Sequence, residues 1–223
     1  MKTIPEIQQL VAGHIQDAAG KLSAEELKAA IEEALGGRYS KDRPQRVITD
    51  LAGNGAQSEW DLGTVSGWQS GFSQVIEIEY PQGQLPATML DDADWTLYES
   101  PTARSLRFRF ALASGRVARV AFTAPHATDA ASMPEADFYA VGALAASLAA
   151  RKLAAVYTQI GDSSLAADTV NYRTKSQEYL ALAKRLEQDY ANLLGTDPER
   201  TAPAASRTAA WPGDTAGGSR LTH

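Results

Sequence analysis

Gly36-Gly37-Arg38-Tyr39-Ser40-Lys41-Asp42-Arg43-Pro44, running into Val47-Ile48-Thr49-Asp50-Leu51, is where the sequence changes period. Upstream of it, apolar residues recur at helical spacing, as Ile7, Leu10, Val11 and Ile15 and then as Leu27, Ala30, Ile31, Ala34 and Leu35. That spacing predicts two short helices. Ser23 with Glu26 three residues on is a capping box for the second, and Gly36-Gly37 offers the left-handed residue that would stop it. Pro44 disfavours helix through Asp42-Arg43, and beyond it the pattern turns to alternation.

Between Val47 and Pro125 the text reads as short strands: Val47 to Leu51, Gln74 to Tyr80, Ala87 to Leu90, Trp95 to Glu99, Ser105 to Leu112 and Val117 to Thr123. Gly53-Asn54-Gly55, Pro81-Gln82-Gly83 and Ser114-Gly115 are the turn-formers between them. In Leu106-Arg107-Phe108-Arg109-Phe110 and in Val75 to Glu79, apolar and charged residues alternate, which predicts a small antiparallel unit with one face in and one face wet.

Helix returns after Pro125. Ser132 and Glu135, with Pro134 between, read as a second capping box, and Phe138, Val141, Ala145 and Leu148 mark one face of a long helix ending near Gly161. Its many alanines, Ala146 and Ala150 among them, leave little bulk, so a neighbour could approach closely within the fold or across a subunit boundary. After Gly161-Asp162-Ser163-Ser164, a last helix carries Tyr172, Tyr179, Leu186 and Leu193 at seven-residue intervals, with Ala183 and Tyr190 between, a seam that needs a partner helix. From Thr196 to His223 the chain is rich in Thr, Ala, Pro, Gly and Ser. Such a composition builds no core, and Trp211 beside Pro212 stands out in it as an anchor that would order on a partner.

The expected fold class is therefore α+β: a helical bundle of about four helices with an inserted small antiparallel β unit and an extended C-terminal tail. The boundaries fall at 1–46 for the N-terminal helices, 47–126 for the β insertion, 127–195 for the C-terminal helix pair and 196–223 for the tail. With 223 residues, 44% of them hydrophobic, the chain can bury a sizeable core. The absence of cysteine excludes disulfides, thiolate metal sites and cysteine nucleophiles. No secretory signal is read at the N-terminus. The most apolar helical stretch, Phe138 to Ala150, is cut by Arg151 and Lys152 short of a bilayer span, so no membrane partner is expected. A net charge of −6 with the signs intermixed disfavours tight nucleic-acid binding.

Chemistry finds little support. His14, His126 and His223 are scattered, so no histidine metal cluster is expected. His126 could pair with Ser132 and Asp129, but no nucleophile-elbow sequence accompanies it. Asp91-Asp92-Ala93-Asp94 lacks the spacing of a calcium loop and reads as a solvated turn. Glu77 and Glu79 alternate on one strand face, as a glycosidase pair or simply as wet-face charge. Trp60, Trp68 and Trp95 could form a sugar-stacking platform, or be the core of the β unit or a subunit contact. No catalytic residue, metal or cofactor is expected.

Several stretches, in this order along the chain, resemble the head-to-tail adaptor proteins of tailed bacteriophages, also called head completion or connector proteins. They are Glu26-Leu27 to Leu35 with Arg38 to Pro44; Ile78-Glu79-Tyr80-Pro81 with Trp95-Thr96-Leu97-Tyr98; Phe122-Thr123-Ala124-Pro125-His126; Gly161 to Ser164; and Tyr172-Arg173-Thr174-Lys175-Ser176 leading to Leu194. The resemblance spans roughly Leu22 to Gly195. It implies a structural virion protein, made in the host cytoplasm and placed in the neck, that forms a ring, dodecameric by analogy with portals. The ring would sit between the portal protein and the next connector or tail component, with DNA passing through its lumen without specific binding. Adaptors of this kind use terminal segments to reach the portal, which would make Arg207, Trp211, Pro212, Arg220 and Leu221 portal-binding residues; Trp60, Trp68, Ala146 and Ala150 are the candidates for ring contacts. The alternative is a carbohydrate- or ligand-binding β module flanked by helices.

Overall fold

A computed structural model describes residues 2–17, 20–100, 103–159 and 172–195, the side chains of 172–174 excepted. The architecture is α+β. Helices α1 (Ile4–Ile15) and α2 (Ala24–Ala34) are followed by a π-helical stretch, Leu35–Tyr39, and a short α3 (Ser40–Asp42). Strands β1 (Gln45–Ala52), β2 (Glu59–Asp61), β3 (Val75–Glu79), β4 (Trp95–Glu99), β5 (Arg104–Phe108) and β6 (Val117–Ala124) come next, then α4 (Phe138–Gln159) and α5 (Tyr172–Leu194).

Two apolar cores divide the chain. In the first, Ile7, Val11 and Ile15 of α1 and Ala30, Ile31 and Ala34 of α2 close on the alanine-rich face of α4 and on Leu186 and Tyr190 of α5. At Gly142 a side chain of α1 presses onto the backbone of α4: a Cβ there would lie 2.3 Å from Leu10 Cδ2. The second core lies between two antiparallel three-stranded sheets, ordered β1-β6-β3 and β2-β5-β4. Leu51, Ile78, Ala118 and Val120 from one sheet meet Leu106 and Phe108 from the other. β1 pairs with β6 from Gln45↔Ala124 to Ala52↔Val117, so the chain leaves the bundle and re-enters it at one place. The β unit is thereby tied to the helices at the base of its first and last strands.

The second helix departs from the expected stop. Neither Gly36 nor Gly37 takes a positive φ; Gly37 sits at φ −94°, ψ −105°, and the winding continues through a kink. Burial drives the continuation, because Leu35 and Tyr39 are fully buried and the Ser40 hydroxyl donates to the Leu35 carbonyl at 2.6 Å. Ser132 does not form the capping box with Glu135 either: its hydroxyl is taken up by His126 Nδ1 and the Ala127 N–H, and Pro134 instead precedes a 3₁₀ turn, Glu135–Asp137. Of the expected strands, Ala87 to Leu90 supplies only a bridge, Met89 to Glu79, and the strand expected from Ser105 to Leu112 ends at Phe108. β2 is additional. Gly161 to Ser164 and Thr196 to His223 lie outside the described residues.

The long helix also exceeds the apolar stretch read between Phe138 and Ala150. Glu135–Gln159 is long and apolar enough to cross a membrane, but 67% of its apolar 18-residue stretch is buried inside the chain. Ala140, Ala143, Ala145, Ala146 and Ala149 are at most 2% exposed, as befits a helix covered on several sides.

Candidate functional site

The stretches around Pro44 and Pro125, far apart in sequence, form one polar joint between the two cores. Tyr39 donates its hydroxyl to Asp137 Oδ2 at 2.6 Å, and Arg43 Nη1 donates to Asp137 Oδ1 at 2.9 Å. Asp137 is only 4% exposed, so these donors satisfy a carboxylate that would otherwise be costly to bury. Burial and the Asp137 carboxylate push the Tyr39 phenol well above its ordinary range. Tyr190 of α5 repeats the arrangement, donating to Asp42 Oδ2 at 2.8 Å, and is raised for the same reasons. Arg38 bonds Asp42 and Glu187 and lies over the Tyr190 ring, and Glu187 also receives Arg151 of α4.

His126 closes the joint from the β side. Its N–H donates to Ser40 Oγ at 2.8 Å, and its ring lies 4.8 Å from that of Tyr39. Nε2 sits 2.9 Å from the Arg43 carbonyl, an acceptor only, which places the proton on Nε2 and makes Nδ1 the acceptor for the Ser132 hydroxyl at 3.0 Å. The His126–Ser132 pair therefore exists, but its orienting group is a backbone carbonyl. Asp129 is occupied in accepting from the Ala131 N–H. His126 is 5% exposed and the ring has both nitrogens committed to holding two chain segments together.

The other candidates are placed apart. Glu77 lies beside Arg46, while Glu79 accepts from the Gly83 N–H at 2.7 Å, so the two carboxylates serve neighbouring chain segments on the wet face of their sheet. Asp91 and Asp94 close a turn, the Asp94 N–H donating to the Asp91 carbonyl at 2.9 Å. Among the described residues there is no group of three or more His, Cys, Asp or Glu side chains arranged to hold a metal. Trp60, on β2, meets Phe108 edge to face at 5.3 Å, and Trp68, in the loop between β2 and β3, packs 5.4 Å from Phe122 of β6; both border the β core, each against a different sheet. On the outer face of β2-β5-β4, Arg107 pairs with Glu59 at 3.0 Å and stacks on Tyr98. The Ser105 hydroxyl and the Arg107 guanidinium hold Glu59 below the usual carboxylate range.

Ala146 and Ala150 are at 0% exposure under the chain's own helices, and thus offer no surface to another copy. Arg207, Trp211, Pro212, Arg220 and Leu221 lie outside the described residues. One exposed feature was not singled out from the sequence. The loop after β3 projects Leu85, 99% exposed, with Met89 at 51%. Its signal was in view: Leu85-Pro86 is a large apolar residue beside a proline in a polar turn, the same signature that marks Trp211-Pro212.

No protein-family model and no curated protein matches the chain. Several solved structures were found to be similar, three of them as follows. One, the neck of a native gene transfer agent particle with C12 symmetry, is 14% identical over 80% of this chain and 92% of that one, at a TM-score of 0.28. A second, the virion of the native gene transfer agent particle, is 15% identical over 79% and 87%, also at 0.28. The third, the neck of an empty gene transfer agent particle with C6 symmetry, is 13% identical over 78% and 87%, again at 0.28. At that score the likeness carries no argument about this chain.

Proposed function

We propose that the chain is a structural, ring-forming subunit of a virion neck, a head-to-tail adaptor seated between a portal protein and the next connector or tail component. The observation that carries this reading is the joint around Tyr39, Asp137 and His126. The stretches Arg38 to Pro44 and Phe122 to His126, on which the adaptor resemblance rests, meet there, His126 bonding Ser40 and Arg43 while Tyr39 and Arg43 bind Asp137. Residues so used fix the β unit on the helical bundle; a rigid two-part body suits a subunit that must present one surface to the portal and another to the component below it.

Portal contact is assigned to the C-terminal segment, with Arg207, Trp211, Pro212, Arg220 and Leu221 as its docking residues, and DNA passes the ring without specific binding. The acidic balance, −6 over the chain, supports that passage. Trp60 and Trp68, half-buried at the margin of the β core, remain ring-contact candidates. Electron microscopy of the purified chain, alone and mixed with a portal protein from the same genome, tests the assignment. Rings, or added density on the portal, are the expected result, and a monomer indifferent to the portal overturns it.

A further inference from the structure

We propose that two copies of this chain pair through the free edge of β1, antiparallel about a twofold axis at Ile48, so that their β1-β6-β3 sheets run on as one. The contact is separate from the ring reading above and needs no portal.

The sheet is open on one side only. At the end of β1 the Gly53 N–H donates to the Arg116 carbonyl at 2.7 Å, which fixes the residues that face β6. A residue of an antiparallel strand turns its N–H and carbonyl to one side, and its neighbours turn theirs to the other. Leu51, Thr49 and Val47 thus bond β6, while Asp50, Ile48 and Arg46 direct both groups out of the sheet, where no strand meets them among the described residues. The opposite edge, β3, is closed. There the Tyr80 N–H donates to the Thr88 carbonyl at 2.9 Å and the Leu90 N–H to the Ile78 carbonyl at 2.8 Å, and a bulge breaks the register between Val75 and Glu77. Bulges and covering loops keep a sheet edge from pairing. β1 instead holds its register from Gln45 to Ala52.

The residues on that edge complement their own reverse. Arg46, Ile48 and Asp50 lie on the face of β1 opposite to Leu51 and the β core, and Ile48 is 54% exposed. Pairing centred on Ile48 sets Arg46 against Asp50 of the second copy, Asp50 against its Arg46, and Ile48 against Ile48. In each of these pairs the backbone groups face each other across the edge, so each exchanges both N–H-to-carbonyl bonds. The next register in either direction would put Ile48 against a charge. Within one copy Arg46 already lies against Glu77, and Asp50 accepts from Arg119 Nε at 3.0 Å. Pairing therefore lays Glu77, Arg46 and the second copy's Asp50 and Arg119 in a row of alternating sign across the joined sheets. A strand guarded against itself would carry like charges at these positions, which repel when set opposite each other. Opposite charges placed evenly about an apolar residue make a second copy, rather than a foreign strand, the occupant.

A twofold contact of this kind uses up the edge and stops at two copies. Native mass spectrometry of the full-length chain reads it, and the charges supply a test with its own control for folding. Arg46→Asp leaves acid on both flanks of Ile48 and Asp50→Arg leaves base on both, so each variant repels its own copy and complements the other. The pairs lost within each copy are exposed and contribute little to the fold. A dimer of the unaltered chain is expected, with a dissociation constant raised at least about tenfold in either variant alone and a heterodimer restored when the two are mixed. A mixture that pairs no better than its components overturns the proposal, as does an unaltered chain that is monomeric at about 100 μM. Both results leave the neck reading to the microscopy with portal. Larger multimers that neither substitution weakens also overturn the edge contact, while supporting a ring built through another surface.

Discussion

Tyr39 shows how one side chain can tie two cores together. Its ring is fully buried against His126 and its hydroxyl is bound to a carboxylate 98 positions away. Tyr39→Phe removes one of the two side-chain donors to buried Asp137, and the expected loss is about 1–3 kcal/mol in urea unfolding. A loss below about 0.5 kcal/mol would show that Arg43 alone satisfies the carboxylate. The raised phenols also set a pH dependence. In the unfolded chain tyrosine ionises near pH 10; in the fold Tyr39 and Tyr190 hold their protons to higher pH. The folded state therefore binds more protons above that point, so their contribution is intact below about pH 10 and is lost as pH rises through the folded values. Unfolding midpoints measured from pH 8 upward should fall beyond pH 10, and less steeply in the Tyr39→Phe, Tyr190→Phe double variant. Gly53 is a second such position: a Cβ there would lie 2.4 Å from the Ala113 carbonyl oxygen, and Gly53→Ala is expected to cost about 1–3 kcal/mol on thermal unfolding. The glycine-rich turn was legible in the sequence, but its need for close approach was not, because Ala113 lies far along the chain, in the connection between β5 and β6. Asp137 escaped notice for the same reason, as none of its partners is local.

At the scale of elements, periodicity served best where burial is one-sided. The capping box Ser23–Glu26 formed as read, with the Glu26 N–H donating to Ser23 Oγ at 3.2 Å, and its hydrogen bonds to Ser23 hold Glu26 below the usual carboxylate range. The seam of α5 was read only in part. Leu186 is buried at 1%, and Ala183 and Tyr190, the residues read between the heptad positions, lie in the interface, but Leu193, at the next heptad step, is 58% exposed. A straight helix drifts away from a strict seven-residue repeat, and over two heptads the seam moves to the neighbouring row. Leu186→Ala should therefore cost about 2–5 kcal/mol in chemical denaturation, and Leu193→Ala no more than about 0.5. Equal losses would place α5 in a different rotation against α4. β2, Glu59–Asp61, was missed because three residues give no run of alternation; its pairing with β5 and the edge-to-face contact of Trp60 on Phe108 define it. The glycine pair after α2 misled for the opposite reason. Glycine permits a stop without requiring one, and the burial of Leu35 and Tyr39 carried the winding onward.

Over the whole molecule, two cores joined at the bases of β1 and β6 make a body in which stability and assembly can be separated. The described cores draw their apolar residues from Ile4 to Leu194, and the composition of 196–223, rich in Thr, Ala, Pro, Gly and Ser, offers little from which to build a core. The α+β class was legible because helical spacing gives way to alternation at Pro44 and returns after Pro125; the joint that unites the parts was not, since it depends on contacts across the full β insertion. The same separation yields a test of the C-terminal segment. Removing residues 196–223 is expected to leave the thermal unfolding midpoint within about 2 °C, the change that a loss of well under 1 kcal/mol would make in a chain of this size. Binding to the portal protein should meanwhile fall by at least about tenfold if, as proposed, Trp211 and its basic neighbours are the anchor. Surface plasmon resonance against immobilised portal reads the second quantity. A shortened chain that unfolds as before yet binds portal as tightly as the intact one would move the docking surface onto the folded body, to the bundle or the β unit.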